Sequence, residues 1–165
     1  MLSRQRPLLL AFAIAAVLAS LALLPQAASA QVMNSVQFWI LTGGDDLRGD
    51  SDAKATIAFA NGASNTFTLK NQGDPSWDNN TLHSPGPFAL GPVDYFAITS
   101  ISITLTSHNS GFEGDDNWNI NQVVINVQGP GGGPYCIVNL SGNPLSRLTG
   151  TQPTLTMSRG QGCPG

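Results

Sequence analysis

From residue 31 onward, apolar and polar positions alternate in short runs, and nothing reads as a long amphipathic helix. The clearest run is SISITLTS at 100–107. It sets Ile101, Ile103 and Leu105 on one side and Ser102, Thr104 and Thr106 on the other, the period of a strand with one buried and one wet face. SVQFWIL (35–41), ATIAFA (55–60), NTFTLK (65–70), DYFAI (94–98) and QVVINVQ (122–128) are also rich in branched and aromatic residues and predict further strands. In the first of these, Phe38 is buried on one face and Trp39 covers the other. Asn61-Gly62 joins two runs at hairpin distance and predicts a tight turn. Short strands separated by Gly, Asn, Asp and Pro predict an all-β fold, an antiparallel β-sandwich. The Pro- and Asn-rich stretch 71–93 is expected to be an ordered loop crossing between the sheets.

Beyond this body, QGPGGGP (128–134) has the composition of a linker, and YCIVNL and TLTM predict two more short strands around SGNPLSRLTGTQP. Only 31 residues follow Pro134, too few for an independent core. Cys136 and Cys163 are the only cysteines, and in an oxidising compartment such a pair forms one disulfide. Closing the intervening loop stabilises by about 3 kcal/mol on a chain-entropy model. The expected organisation is therefore a sandwich over 31–128, then a Gly/Pro linker and a disulfide-stapled C-terminal β-ribbon over 129–165, packed on it. Two cysteines with His83 and His108 do not have zinc-ligand spacing.

The first thirty residues differ in kind. Arg4 and Arg6 precede an apolar run from Leu8 to Leu24, Pro25 ends it, and Ala28-Ser29-Ala30 offers small residues to a signal peptidase. The run approaches membrane-spanning length, so a retained anchor is the alternative, but the small-x-small site favours a signal peptide over 1–30 cleaved after Ala30. The expected product is secreted or periplasmic and has 135 residues, the size of one domain. It carries five basic and ten acidic residues, a formal charge of −5. That balance excludes nucleic acid as a partner and argues against purely electrostatic docking on anionic lipid.

The acids are clustered. Asp45, Asp46, Asp50 and Asp52 lie in TGGDDLRGDSD (42–52), and Glu113, Asp115 and Asp116 lie in GFEGDDN (111–117). Gly43-Gly44-Asp45-Asp46 has the look of a nucleotide-cyclase signature, but that signature belongs to larger cytoplasmic α/β domains. Arg48-Gly49-Asp50 is an adhesion tripeptide only by a three-residue match. An EF-hand loop fails because Thr56 stands twelfth from Asp45, where a bidentate Glu is required. Two readings stay open. Loops at one end of a sandwich can converge on a Ca²⁺ ion, which takes six to eight oxygens from carboxylates, backbone carbonyls and water. Alternatively the loops are solvated and Arg48 pairs locally with an aspartate.

GDSDAKATIAF (49–59) together with TSHNSGFEGDDNWNINQVVINV (106–127) resembles the PLAT domain, the β-sandwich module of lipoxygenases, polycystins and clostridial alpha-toxin. Asp52-Ala53 fit the family's early turn. His108, Asn109 and Gly111 fit its late loop, and Trp118, Ile120, Val123 and Ile125 fit its last strand. The chain is also similar to small modules of secreted bacterial proteins in which a GGDDLRG loop accompanies a Pro-Leu-x-Arg-Leu-x-Gly tail. Pro144, Leu145, Arg147, Leu148 and Gly150 match that tail. The PLAT resemblance implies non-enzymatic binding to a cell-surface lipid or protein, with Ca²⁺ in some members. Carried over, it makes Gly49, Asp50 and Asp52 metal-ligand candidates, and loop geometry adds Asp115 and Asp116. A monomer is expected.

Trp118 is expected in the core at a strand start. Trp77, in the polar DPSWDNN loop, either plugs the end of the sandwich or offers a ligand-binding ring to a sugar or a membrane. The second use makes a carbohydrate-binding module the alternative function. No catalytic constellation emerges: Ser110 and His108 on one loop are not a triad, and the carboxylate pairs have no apolar pocket to raise their pKa. A small secreted hydrolase ranks last.

Overall fold

The computed structural model describes residues 30–108 and 114–164. The signal-peptide expectation for 1–30 therefore falls almost wholly outside the described residues, as do Asn109, Gly111 and Glu113 of the late loop. Two antiparallel sheets face each other. The first contains β1 (Val32–Thr42), β4 (Leu82–His83), β5 (Phe88–Asp94), β7 (Trp118–Gln128) and β8 (Tyr135–Leu148), in the order β4-β1-β7-β8, with β5 also pairing with β1. The second contains β2 (Asp52–Phe59), β3 (Ser64–Lys70), β6 (Ile98–Thr106) and β9 (Thr154–Ser158), in the order β3-β2-β6-β9.

The alternation along the chain explains the layering. Val36, Phe38 and Ile40 of β1, Ala55 and Ile57 of β2, and Ile101 and Ile103 of β6 all point inward and are buried. From β7, Trp118, Ile120, Val123 and Ile125 join them. Each fully buried branched or aromatic side chain contributes about 1.5–3 kcal/mol by leaving water. Phe38 meets Phe67 and Phe88 at ring-centroid distances of 6.1 and 5.9 Å, which ties β5 to both sheets. Phe38→Ala would empty the centre of this cluster at a cost of about 3–5 kcal/mol.

Three segments depart from expectation. Residues 71–93 are not loop throughout, since they contain β4 and all of β5 but its last residue, Asp94. Gly91 and Pro92 hide β5 from a propensity reading, yet proline is tolerated because β5 pairs on one side only, along β1. DYFAI is not a strand: Asp94 ends β5, Tyr95–Ala97 form a single 3-10 turn capped by the Asp94 carboxylate, and Ile98 begins β6. Finally, β8 continues through SGNPLSRL, with register shifts opposite β7.

The arms of the C-terminal segment extend one sheet each, β8 beside β7 and β9 beside β6. The Cys136–Cys163 disulfide holds the chain after β9 against the start of β8.

Candidate functional site: the two ends of the sandwich

The strand directions gather the loops 43–51, 71–81 and 149–153 at one end, with residues 107–108 and 114–117. Of the nine aspartates only Asp94 lies elsewhere, so this end is strongly acidic. The two acidic loops do converge, and the chain's own cations join them. Arg48 donates from its backbone nitrogen to Asp116 Oδ2 at 3.0 Å and from Nε to Oδ1 at 3.1 Å, while its Nη2 reaches the Asp115 carbonyl at 3.3 Å. Asp116 is 2% exposed, and burial pushes its carboxyl above the usual range against the opposing pull of Arg48. Arg48 thus pairs with an aspartate of the second loop.

A second cation lies deeper. Lys70 is 2% exposed, and its Nζ donates to the carbonyls of Ser51 at 2.9 Å, Asn71 at 3.2 Å and Gly49 at 3.3 Å. Burial lowers its pKa, offset by the charges of Asp74, Asp52, Asp116 and Asp50. An internal ammonium among backbone carbonyls and carboxylates thus organises the first loop. Its position comes from a register shift between β2 and β3, where Ala53 faces Lys70 but Lys54 faces Thr68. The extra residue turns Lys70 inward beside Leu69 instead of leaving it on the wet face.

The remaining contacts stitch the end together. Asp52 accepts from the Gln72 backbone at 2.6 Å and bonds His108 Nε2 at 2.8 Å, and chiefly the His108 bond lowers its pKa. Arg147 pairs with Asp45 at 3.0 Å, so the GGDDLRG loop and the Pro-Leu-x-Arg-Leu-x-Gly tail meet in space. Two glycines permit this approach. A Cβ on Gly43 would stand 2.5 Å from Asn121 Oδ1, and one on Gly150 would strike the Asp115 carboxylate. Trp77 is 8% exposed, stacked on His83 at 4.4 Å and edge-on to Trp118 at 5.6 Å. Its ring therefore faces the interior and closes the sandwich, which removes it from contact with a sugar or bilayer. Leu47 pairs with Trp77 through both backbone bonds, fixing the loop over it.

The opposite end has another chemistry. Phe96 is 55% exposed and Val32 45% exposed, and Tyr95 and Tyr135 lie beside them with ring centroids 5.9 Å apart. The Arg159 guanidinium sits 5.0 Å from the Tyr95 ring centroid and 5.4 Å from that of Phe96, while its Nε donates to the Ile98 carbonyl. Tyr95 OH donates to the Cys136 carbonyl at 3.1 Å, so the disulfide supports this aromatic group. The sequence hides this cluster, because a strand over DYFAI turns Tyr95 and Phe96 to opposite faces.

Solved structures with the same architecture include an alpha-toxin from the avian Clostridium perfringens strain SWCP. It superposes with a TM-score of 0.57 at 16% identity, over 82% of this chain and 34% of the toxin. The Clostridium absonum alpha toxin gives 0.55 at 15% identity, over 80% and 32%. The delta413-417:GS lipoxygenase, solved in complex with arachidonate, gives 0.53 at 15% identity, over 77% and 16%. The fold is a PLAT-like β-sandwich. No protein-family model matches the chain, and no curated protein matches it in sequence. The chain spans about a third of the toxins' length and about a sixth of the lipoxygenase's.

That fold type raises calcium, and the donor set does not suit it. Of the expected ligands, Gly49 offers a carbonyl already bonded to Lys70 and to the Gly73 backbone. Asp52 is held by Gln72 and His108, and both Asp116 oxygens are held by Arg48. Asp115 is exposed at the surface, and Asp50 alone keeps a buried oxygen without a partner. Among the described residues no three His, Cys, Asp or Glu side chains are grouped to hold a metal ion. A calcium ion would have to displace two built-in cations.

Proposed function

We propose that the protein is an exported, non-enzymatic binding module that meets a lipid surface with its aromatic end, its acidic end facing away. The observation that carries this reading is the exposed Phe96 against the Arg159 guanidinium with Val32 exposed at the same end, while eight of the nine aspartates lie at the other, where Leu82 is the one exposed large apolar side chain among the described residues. Moving the exposed part of Phe96 out of water is worth about 1 kcal/mol, and Val32 adds somewhat less. Tyrosines beside an arginine suit the polar–apolar boundary of a bilayer, where amphipathic rings settle. The chain also enters the sandwich at this end, where the Tyr95 backbone donates to the Gln31 carbonyl at 2.8 Å. A leader retained as an anchor would hold this face toward the membrane, whereas cleavage after Ala30 imposes no orientation. The likeness in fold to lipoxygenase and alpha-toxin domains supports lipid as the partner class. Calcium has no part in this contact, because the acidic loops are organised by Lys70 and Arg48.

Flotation with phosphatidylcholine vesicles tests the reading. The protein is expected to float equally with calcium and with chelator, and Phe96→Ala to bind about fivefold more weakly, as loss of about 1 kcal/mol requires. Binding that is unchanged in Phe96→Ala, or that requires calcium, overturns it.

A further inference from the structure

The outer face of the first sheet carries a second surface, chemically unlike either end. Trp39 is half-buried there, on the side of β1 opposite the buried Phe38 and Ile40. The strand register sets Gln37 against Asn126 and Ser35 against Gln128 on the neighbouring β7. Next to Trp39 the face thus becomes a row of amides and a hydroxyl. The exposed Pro87 and Pro134 border these residues, and together they line a short groove of about 290 Å³. None of its lining residues is charged.

We propose that this groove is a binding site for a neutral saccharide, with Trp39 as the stacking platform. The argument rests on the kinds of groups present. A ring wall of pyranose C–H bonds is apolar and fits against the flat indole, while its hydroxyls need donors and acceptors around the rim. Asn126 and Gln128 supply both, since each amide has two N–H donors and a carbonyl, and no other described residue hydrogen-bonds to either side chain. Gln37 has a positioning role. Its Nε2 donates to the Ser84 carbonyl at 3.2 Å and the Pro85 carbonyl at 3.0 Å, which holds the segment leading to Pro87 as a wall. Outward residues two apart on a strand lie roughly 7 Å apart, so the Gln37–Asn126 pair comes within one sugar ring of Trp39. The absence of charge selects a neutral ligand over an anionic headgroup or an acidic polysaccharide. The volume lies near the lower end of ligand pockets and suits a sugar unit or two.

The groove borders the aromatic end at Pro134, but Trp39 and Asn126 do not belong to that end and Phe96 does not line the groove, so the two readings fail separately. Affinity electrophoresis in gels containing xylan, glucomannan, hydroxyethyl cellulose or β-1,3-glucan tests it directly. Retardation is expected in at least one gel. It should be abolished in Trp39→Ala, partly kept in Trp39→Phe, reduced in Asn126→Ala and unchanged in Phe96→Ala. Circular dichroism and melting of each variant report folding, which the outward position of these residues should preserve. Migration unaffected by all four polysaccharides overturns the proposal. So does retardation that Trp39→Ala and Asn126→Ala both leave intact, or quenching of Trp39 fluorescence by a proline-rich peptide and by no sugar.

Discussion

Replacing Lys70 by Met keeps most of the side-chain volume and removes the ammonium. Of its three carbonyl partners, Gly49 keeps a bond from the Gly73 backbone at 2.7 Å and Asn71 keeps one from Asp74 at 3.1 Å. Ser51 loses its 2.9 Å donor, and Asp50, Asp52, Asp74 and Asp116 lose a nearby positive charge. One stranded acceptor costs about 1–3 kcal/mol. Losing the attraction of the carboxylates adds to that, while the ammonium's own burial penalty is recovered. These opposing effects leave a net destabilisation of about 2 kcal/mol. Urea unfolding measures it directly, and the melting temperature should fall by roughly 6–8 °C for a domain of this size. Lys70→Arg should also destabilise, because a planar fork cannot replace a compact ammonium pointing at three carbonyls. A Lys70→Met protein within about 0.5 kcal/mol of wild type would refute the ammonium as organiser of the loops. So would a wild-type protein stabilised by calcium: at a thousandfold excess over Kd, mass action would raise stability by about 4 kcal/mol.

Two further perturbations test the same end. Arg48→Met leaves the buried Asp116 carboxylate its backbone donor but removes its cation and should cost about 3 kcal/mol, with part recovered in Arg48→Met/Asp116→Asn, as read by urea unfolding. Because the His108 bond lowers the Asp52 pKa, Asp52 contributes stability above its ordinary value of 3.8 that is lost as pH falls through the lower folded value. The melting temperature should therefore drop below about pH 4, and Asp52→Asn should flatten that limb of the curve.

Strand periodicity made the sandwich readable, because Ile101, Ile103 and Leu105, like Phe38 and Ile40, obey a strict alternation with no competing demand. It failed where the backbone departs from regular pairing. The register shift at Lys70 reversed the face of a residue that alternation would leave in water, and a short edge strand containing Gly91 and Pro92 looked like loop. The acidic loops were visible as composition, and their convergence followed from strand order. What joins them was not visible, because Arg48 reaches a partner 68 positions away and Lys70 sits outside both acidic segments. In space the Arg147–Asp45 pair brings the GGDDLRG loop against the Arg147-containing tail, a contact between segments about 100 positions apart that local pattern does not reveal.

The disulfide should matter unequally across the molecule. Cys136 begins β8 beneath Tyr95, and Cys163 follows the turn that carries Arg159, so the bond closes around the aromatic end and lies far from the acidic loops. The Gly160 backbone donates to the Ile137 carbonyl at 2.8 Å and Asn139 donates to Gln161 at 3.0 Å, which makes a short patch of backbone pairing that the staple protects. With Cys136→Ser/Cys163→Ser the global loss should be about 3 kcal/mol, from the freedom returned to the unfolded chain. The local loss should be larger at one end: hydrogen exchange at 95–98 and 159–163 should accelerate beyond the global change, while 47–51, clamped by Arg48 and Lys70, should follow the global change alone. If Arg159 and its rings lose their mutual order, vesicle binding should weaken in the same variant even at temperatures where it remains folded. Uniform acceleration across both ends would show that the bond acts only through the unfolded chain, and that the aromatic end is ordered by the sheets without it.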